Sequence, residues 1–181
     1  MKIRPIPSTA LLCATIFFTP AFAQTTLDVA RYDTEGRLQF PNDTVHWVHA
    51  GSVLGSEYRD VPFDPAHPGT IGVVQMEPLA YAHYMEHGAF ADGSMFLLTF
   101  YTSEAKSQPQ LQGFVQGPRE LREIHVIDKA RFDEDRAFFM FPGEELVSTK
   151  VRDGSDCTRC HVAEASLDGV FVQFYPSLRR P

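Results

Sequence analysis

Five consecutive residues near the C-terminus constrain this chain more than any other feature: Cys157-Thr158-Arg159-Cys160-His161. Two thiols separated by two residues and followed at once by an imidazole form the C-x-x-C-H pattern of covalent haem attachment. The spacing lets both sulfurs reach the two vinyl groups on one edge of a porphyrin, and it carries the histidine beneath the ring. The motif predicts one covalent haem c, held by Cys157 and Cys160, with His161 as the axial ligand of the iron.

Three other roles for the cysteine pair are weaker. A disulfide across so small a loop would stabilise the fold little. A thiol oxidoreductase carries its C-x-x-C in a βαβ pattern near the start of the domain, and no such pattern precedes Asp156. A zinc site would need roughly two more ligands, and the chain has no second cysteine pair. Haem attachment is therefore the favoured interpretation.

The first 23 residues have the pattern of a secretory signal peptide. Lys2 and Arg4 supply positive charge, residues 10–18 form an apolar run, and Ala21-Phe22-Ala23 is a small-x-small cleavage site. The run is too short to span a bilayer, and no later segment approaches that length. We expect cleavage near Ala23, export to the periplasm, and one mature domain over residues 24–181 with no membrane segment.

Loss of this segment changes the charge and the cysteine content. It removes Lys2, Arg4 and Cys13, and the formal net charge falls from −7 to −9. A lipoprotein signal built on Cys13 is a weaker alternative, because Leu12 is not the small residue that this modification requires. So acidic a chain is a poor partner for nucleic acid or anionic membranes. The acidity suits either solubility or docking to a basic redox partner protein.

The composition, 44% hydrophobic and 22% charged, is that of a globular domain. Alternating or dense apolar runs predict strands at residues 44–50, 70–76, 94–102, 121–128, 137–141 and 170–175. A helix is expected from Pro78 to Gly88, because Glu77 and Pro78 suit its start and Gly88 its end. A second helix should begin at the haem motif and run toward Asp168. The sequence thus predicts an α+β fold, mainly an antiparallel β-sheet with a few short helices.

The position of the motif limits the architecture further. Only 20 residues follow His161, so any distal ligand or distal wall must come from upstream in the chain. Small helical electron-transfer cytochromes carry the motif near the N-terminus, which is impossible here. A helical bundle is excluded as well, because four amphipathic helices are not found.

Four stretches, in order, resemble the cytochrome P-460 family and its β-sheet relatives, the cytochromes c-prime beta. They are Phe40-Pro41…Trp47-Val48…Gly51; Glu77-Pro78…Tyr81-Ala82-His83-Tyr84; Gly88…Phe90…Asp92-Gly93-Ser94; and Cys157…Cys160-His161 leading to Phe171…Gln173-Phe174-Tyr175-Pro176. The resemblance implies a mainly β monohaem fold, often a homodimer. It also implies a five-coordinate haem with an open or apolar distal side.

The family has two functional types. Cytochrome P-460 proper oxidises hydroxylamine with a haem cross-linked to a lysine, whereas the c-prime beta proteins bind nitric oxide or other small gases. Counting from Asp92-Gly93-Ser94 places the lysine position at Leu98, and the next lysine is Lys106. The resemblance therefore implies a haem protein that binds nitric oxide or a similar small ligand, and it leaves enzymatic activity undecided. Hydroxylamine or nitric oxide oxidation and low-spin electron transfer are the alternatives.

Several side chains are candidates for the distal side of the haem. Phe90 lies in the matched Gly-x-Phe-x-Asp-Gly stretch, Phe63 is placed by approximate spacing, and Leu98 follows from the lysine position. Phe96 and Phe100 could serve instead, and a core position is the alternative for each phenylalanine. Residues that could supply a sixth ligand, but fit surface or packing positions better, are His46, His49, His83, His87, Met76, Met85, Met95 and Met140.

Overall fold

The computed structural model describes residues 26–55, 62, 64–108 and 111–180 of the 181-residue chain. These residues contain β1 (Leu38–Gln39), β2 (Val48–Leu54), β3 (Thr70–Met76), α1 (Pro78–His87), β4 (Ser94–Gln108), β5 (Leu111–Ile127), β6 (Arg136–Pro142), β7 (Val147–Ser148) and α2 (Asp156–Glu164). The predicted signal peptide and Phe63 lie outside the described residues. Within the described ranges, no helix is both long and apolar enough to cross a membrane.

The main sheet has five antiparallel strands in the order β2-β3-β4-β5-β6. Each strand pairs with its neighbour in the chain, and α1 is inserted between β3 and β4. The short strands β1 and β7 form a separate antiparallel ladder. This architecture confirms the predicted α+β class with a mainly antiparallel sheet.

Side chains alternate between the two faces of the sheet, because successive residues of a strand point in opposite directions. One face is closed by a buried core of Leu38, Trp47, Met95, Leu97, Ile124, Val126, Ala137, Phe139 and Phe141. The other, here called the His161 face, carries Val74, Phe96, Leu98, Glu123, His125, Phe138 and Met140. Met140 on the His161 face is 40% exposed, so the described residues leave part of this face uncovered, and a ligand could lie there.

The helix α1 covers one part of the His161 face. Glu77 caps it, since its Oε2 accepts a hydrogen bond from the Ala80 N–H at 2.8 Å, and Gly88 ends it with a φ of 74°. Ala80 and Tyr84 are buried against the sheet. These features confirm the predicted helix, including the residues expected to start and stop it.

The C-terminal tail fastens this layer to the sheet. The Tyr84 hydroxyl donates to the Leu178 carbonyl at 2.8 Å, and the Ser177 hydroxyl donates to the Ala50 carbonyl at 2.5 Å. A Cβ at Gly51 would overlap the ring of Tyr175, so glycine lets the tail approach β2 closely. The tail is therefore part of the domain and not an appendage.

Three predicted elements differ from the structure. Residues 44–46 form a 3₁₀ turn, and the strand begins at Val48. The predicted strand at 170–175 is wrong: this segment forms a 3₁₀ turn over Val172–Phe174, followed by another at Pro176–Leu178. The second helix ends at Glu164, short of Asp168.

The Gln173 side chain explains two of these differences. Its Nε2 donates to the Glu164 carbonyl at 2.9 Å, which satisfies a carbonyl that a longer helix would have used. Its Oε1 accepts from the Ser166 hydroxyl at 2.7 Å. This side chain ties the tail to the end of α2, a local arrangement that replaces strand pairing.

Candidate functional site

The helix α2 carries both thiols and His161 on one side. Positions three and four apart in a helix are neighbours, so Cys160 and His161 share a face with Cys157. The helix starts at Ser155, whose hydroxyl accepts a long hydrogen bond, 3.5 Å, from the Thr158 N–H. Both cysteines are free thiols; Cys157 is half-buried and Cys160 is exposed. The predicted attachment residues therefore lie together, and neither is consumed by a disulfide.

The imidazole of His161 is held in one tautomer. Its Nδ1 lies 2.6 Å from the carbonyl oxygen of Gly169. A carbonyl only accepts, so Nδ1 carries the proton and Nε2 keeps a free lone pair. This is the arrangement that orients metal-ligating histidines. Burial lowers the pKa of His161, the Gly169 hydrogen bond opposes that shift and the charge of Arg136 adds to it. The neutral imidazole, the form that binds iron, is favoured.

A tight turn presents the accepting carbonyl. Leu167 and Val170 bridge each other, and the Val170 N–H donates to the Leu167 carbonyl at 2.7 Å. Between them, Asp168 and Gly169 have φ of 46° and 75°, the two positive values of a type I′ turn. Asp-Gly is a favoured pair for this turn, so the sequence itself places the carbonyl near His161.

Aromatic rings surround His161. Ring centroids of Phe138, Phe171 and His125 lie 4.6, 4.8 and 5.4 Å from its own. His125 stacks on Phe138 at 4.5 Å, and its Nε2 has no hydrogen-bond partner among the described residues. Burial lowers the pKa of His125 well below its ordinary value, and the neighbouring His161 and Arg136 lower it further. His125 is therefore neutral, and it adds a flat ring and no charge beside His161.

Four side chains form a row across the strands on the His161 face. Leu98 stands opposite Val74 and Glu123, and Glu123 stands opposite Met140. Met140 is 40% exposed although it is apolar, and Leu98 is half-buried. Burial raises the pKa of the Cys157 thiol, and the charge of Glu123 raises it further. Three of the four side chains in this row are apolar, and a mainly apolar surface on the face that carries a neutral imidazole fits the body of a porphyrin.

The distal candidates occupy different places. Phe90 is buried, stacked on Tyr84 at 4.6 Å and edge-on to Phe96 at 5.2 Å, between α1 and the sheet. Leu98 lies on the open part of the His161 face, and Phe63 is outside the described residues. A distal role for these three residues stays a prediction.

The other candidate ligands are dispersed. His83 and His87 lie near each other on α1, with ring centroids 4.4 Å apart. Met76 and Met95 are fully buried in the two cores, whereas Met140 is exposed on the His161 face. The described ranges contain no group of three or more His, Cys, Asp or Glu side chains able to hold a metal ion. A zinc site would thus need ligands from beyond those ranges.

Sequence reasoning missed the neighbours of His161. His125, Phe138 and Arg136 come from strands far away in the chain, and their proximity depends on the register of the sheet. Gly169 alone had a readable signal, because an Asp-Gly pair is typical of a tight turn.

Comparison with models of known protein families gives a match. A family model described as Cytochrome P460 matches residues 41–172, well over half of the chain. The matched range includes the five strands of the main sheet, both helices and the Asp168–Gly169 turn. A comparison with curated proteins gave no match.

Proposed function

Because this chain belongs to the cytochrome P460 family, whose members are haem proteins, we propose that it is a periplasmic monohaem protein that binds nitric oxide or a similar small ligand at five-coordinate iron. Cys157 and Cys160 would hold the haem through thioethers, and His161 would be the axial ligand. The bound haem would supply a redox-active iron with one open coordination position. The observation that carries the proposal is the 2.6 Å contact of His161 Nδ1 with the Gly169 carbonyl, beside two free thiols.

The residues around His161 have separate tasks in this proposal. Gly169 accepts the Nδ1 proton, which orients the imidazole and leaves Nε2 for the iron. Phe138 and Phe171 pack against the imidazole and restrict its rotation. His125, buried and neutral, adds a flat ring and no charge. These contacts would hold the imidazole of His161, the protein's own ligand to the iron, rigidly on one side of the haem.

An open sixth position is supported by the composition of the His161 face. Leu98 stands where the resemblance expects the cross-linking lysine, and a leucine cannot form that bond. The next lysine in β4, Lys106, pairs with Gly113 in the exposed end of the hairpin. Val74, Leu98 and Met140 are apolar members of the row and Glu123 is its one carboxylate, so the row is mainly apolar, which suits a small uncharged ligand such as nitric oxide.

Optical and electron paramagnetic resonance spectra of the purified protein test this function. We expect high-spin, five-coordinate ferric and ferrous haem, and a new ferrous spectrum when nitric oxide is added. A low-spin spectrum in both oxidation states would contradict an open position and would point to electron transfer. A tryptic map should show haem held by two thioethers only. A haem–lysine peptide would instead favour the hydroxylamine-oxidising type.

Export and assembly are part of the same proposal. The N-terminal segment has the pattern of a signal peptide, so N-terminal sequencing of the mature protein should start at Gln24. A start at Met1 in protein isolated from the cell envelope would contradict this. The acidic mature chain suits a basic redox partner, and the family resemblance suggests a homodimer, which sedimentation analysis would detect.

A further inference from the structure

Arg136 is a half-buried cation beside the turn that holds His161. It begins β6, and its Nε donates to the Glu134 carbonyl at 3.1 Å. A Cβ at Gly169 would overlap the Arg136 Nη1, so the guanidinium lies directly against this glycine. The same glycine provides the carbonyl that binds His161 Nδ1. Arg136 thus contacts Gly169, and Gly169 in turn contacts His161, the predicted axial ligand.

The charge of Arg136 is not neutralised by the described part of the chain. No ion pair joins Arg136 to a carboxylate of the described residues, and the nearby Asp168 carboxylate lies 3.9 Å from Lys129 Nζ instead. Two other arginines differ in this respect: Arg159, within the haem motif, is paired with Asp156, and Arg119 of β5 is paired with Glu144. A half-buried charge without a counter-ion acts over a longer range than an exposed pair.

This charge stands close to the His161 ring through Gly169, whose carbonyl accepts from Nδ1 at 2.6 Å. A positive charge in this place disfavours an additional positive charge on an iron bound to His161. Ferric iron carries one more positive charge than ferrous iron.

We propose that Arg136 tunes the iron bound to His161, raising its reduction potential through the uncompensated charge held against Gly169. This inference rests on the proposed function, because it requires haem iron on His161. Arg136 acts through electrostatics and positioning, and it does not touch the small ligand. The consequence is a larger ferrous fraction, the oxidation state in which haem holds nitric oxide most tightly.

Three variants of the haem-loaded protein separate charge from packing. Arg136→Gln removes the charge, Arg136→Met removes it while keeping an unbranched apolar stem, and Arg136→Lys keeps it. Potentiometric titration should show a lower midpoint potential for Arg136→Gln and Arg136→Met, and little change for Arg136→Lys. We expect roughly a tenfold rise in the ferric-to-ferrous ratio at fixed ambient potential, about 59 mV for one electron. Arg119→Gln, which removes a paired arginine, is the matched control and should leave the potential unchanged.

A second measurement distinguishes this mechanism from a loosened turn. The iron–histidine stretching band of the ferrous protein reports the hydrogen bond at Nδ1, and it should stay in place in all three variants. If the midpoint potential shifts equally in Arg136→Lys, Arg136→Gln and Arg136→Met, the charge of Arg136 does not tune the iron. The same conclusion follows if neither Arg136→Gln nor Arg136→Met shifts the potential. Wild-type protein without thioether-bound haem on His161 would overturn the proposed function itself, so the two failures are distinguishable.

Discussion

Nδ1 of His161 donates to the carbonyl oxygen of Gly169 across 2.6 Å, and the two residues are only eight positions apart in the chain. The helix that carries the histidine and the turn that orients it are therefore one local unit. Because the turn needs positive φ at both central residues, a substitution at Asp168 or Gly169 should change the orientation of the His161 imidazole.

Substitution of Gly169 tests this coupling. In Gly169→Ala, the added Cβ would be strained at a φ of 75° and would also overlap Arg136. We expect the free energy of unfolding to fall by about 1–3 kcal/mol, measured by urea denaturation, and the ferrous iron–histidine band to shift. Gly143→Ala is the control, because Gly143 has a φ of 53° with no atom near its Cβ position. If both variants leave the band equally unchanged, the turn does not orient His161.

The two thiols are expected to contribute separate bonds to the haem. Each single variant, Cys157→Ala or Cys160→Ala, should keep covalent haem through the remaining thioether, whereas the double variant should lose it to acid–acetone extraction. Mass spectrometry of the extracted protein measures the difference. Arg159→Gln, between the two cysteines and paired with Asp156, should retain haem fully. Retention of haem by the double variant would refute attachment at these residues.

Glu77 should be important for α1 and not for the haem. Its carboxylate accepts from the Ala80 N–H at 2.8 Å, and Glu77 is 8% exposed. Loss of such a cap in Glu77→Ala should cost about 1 kcal/mol, within a range of roughly 0.5–2 kcal/mol. Denaturant unfolding measures this, with Glu86→Ala on the exposed side of the same helix as the control. Equal effects of the two substitutions would show that the cap contributes nothing specific.

The raised pKa of the Tyr32 hydroxyl predicts how the free energy of unfolding changes at alkaline pH. Burial raises the pKa of Tyr32 to about 12 from 10.0, with the Arg131 cation opposing the shift. The unfolded chain therefore loses this proton first, and stability that is complete below pH 10 should decline as the pH rises toward 12. The loss should be about 1–2 kcal/mol after discounting for partial exposure.

The matched variant is Tyr32→Phe. The Tyr32 hydroxyl has no hydrogen-bond partner among the described residues, so its removal should change stability little at pH 7. The variant should also show a shallower decline between pH 10 and 12. An unchanged alkaline slope would show that other groups cause the decline.

The parts of the fold that could be predicted from sequence are those with local causes. The helix α1 was bounded by Glu77, Pro78 and Gly88, which act within a turn of its ends. The β-branched and apolar run at 70–76 became β3 without change. The run at 170–175 is equally apolar, yet it pairs with no strand in the described part of the chain, and hydrogen bonds of the Gln173 side chain hold it instead. An apolar run forms a strand only where a neighbouring strand pairs with it.

The residues of the site also divide into those that a local motif identifies and those that only the folded structure brings together. Cys157, Cys160 and His161 were identified because their spacing within the motif carries the chemistry. His125 and Phe138 were missed as neighbours of His161, because they meet it only through the pairing of β5 with β6. Arg136 was missed for a similar reason, since its approach to Gly169 depends on where β6 begins relative to α2.

The bond between Tyr84 and Leu178 also has a consequence for the order of folding. The two residues are 94 positions apart, whereas every pairing in the main sheet joins strands that are neighbours in the chain. Closing so long a loop costs more conformational entropy than forming hairpins, so the tail should dock after the sheet has assembled. During that interval Cys157 and Cys160 would stand on a helix not yet enclosed. Under the proposed function, this slow final step would leave time for haem attachment before Phe171 packs against His161.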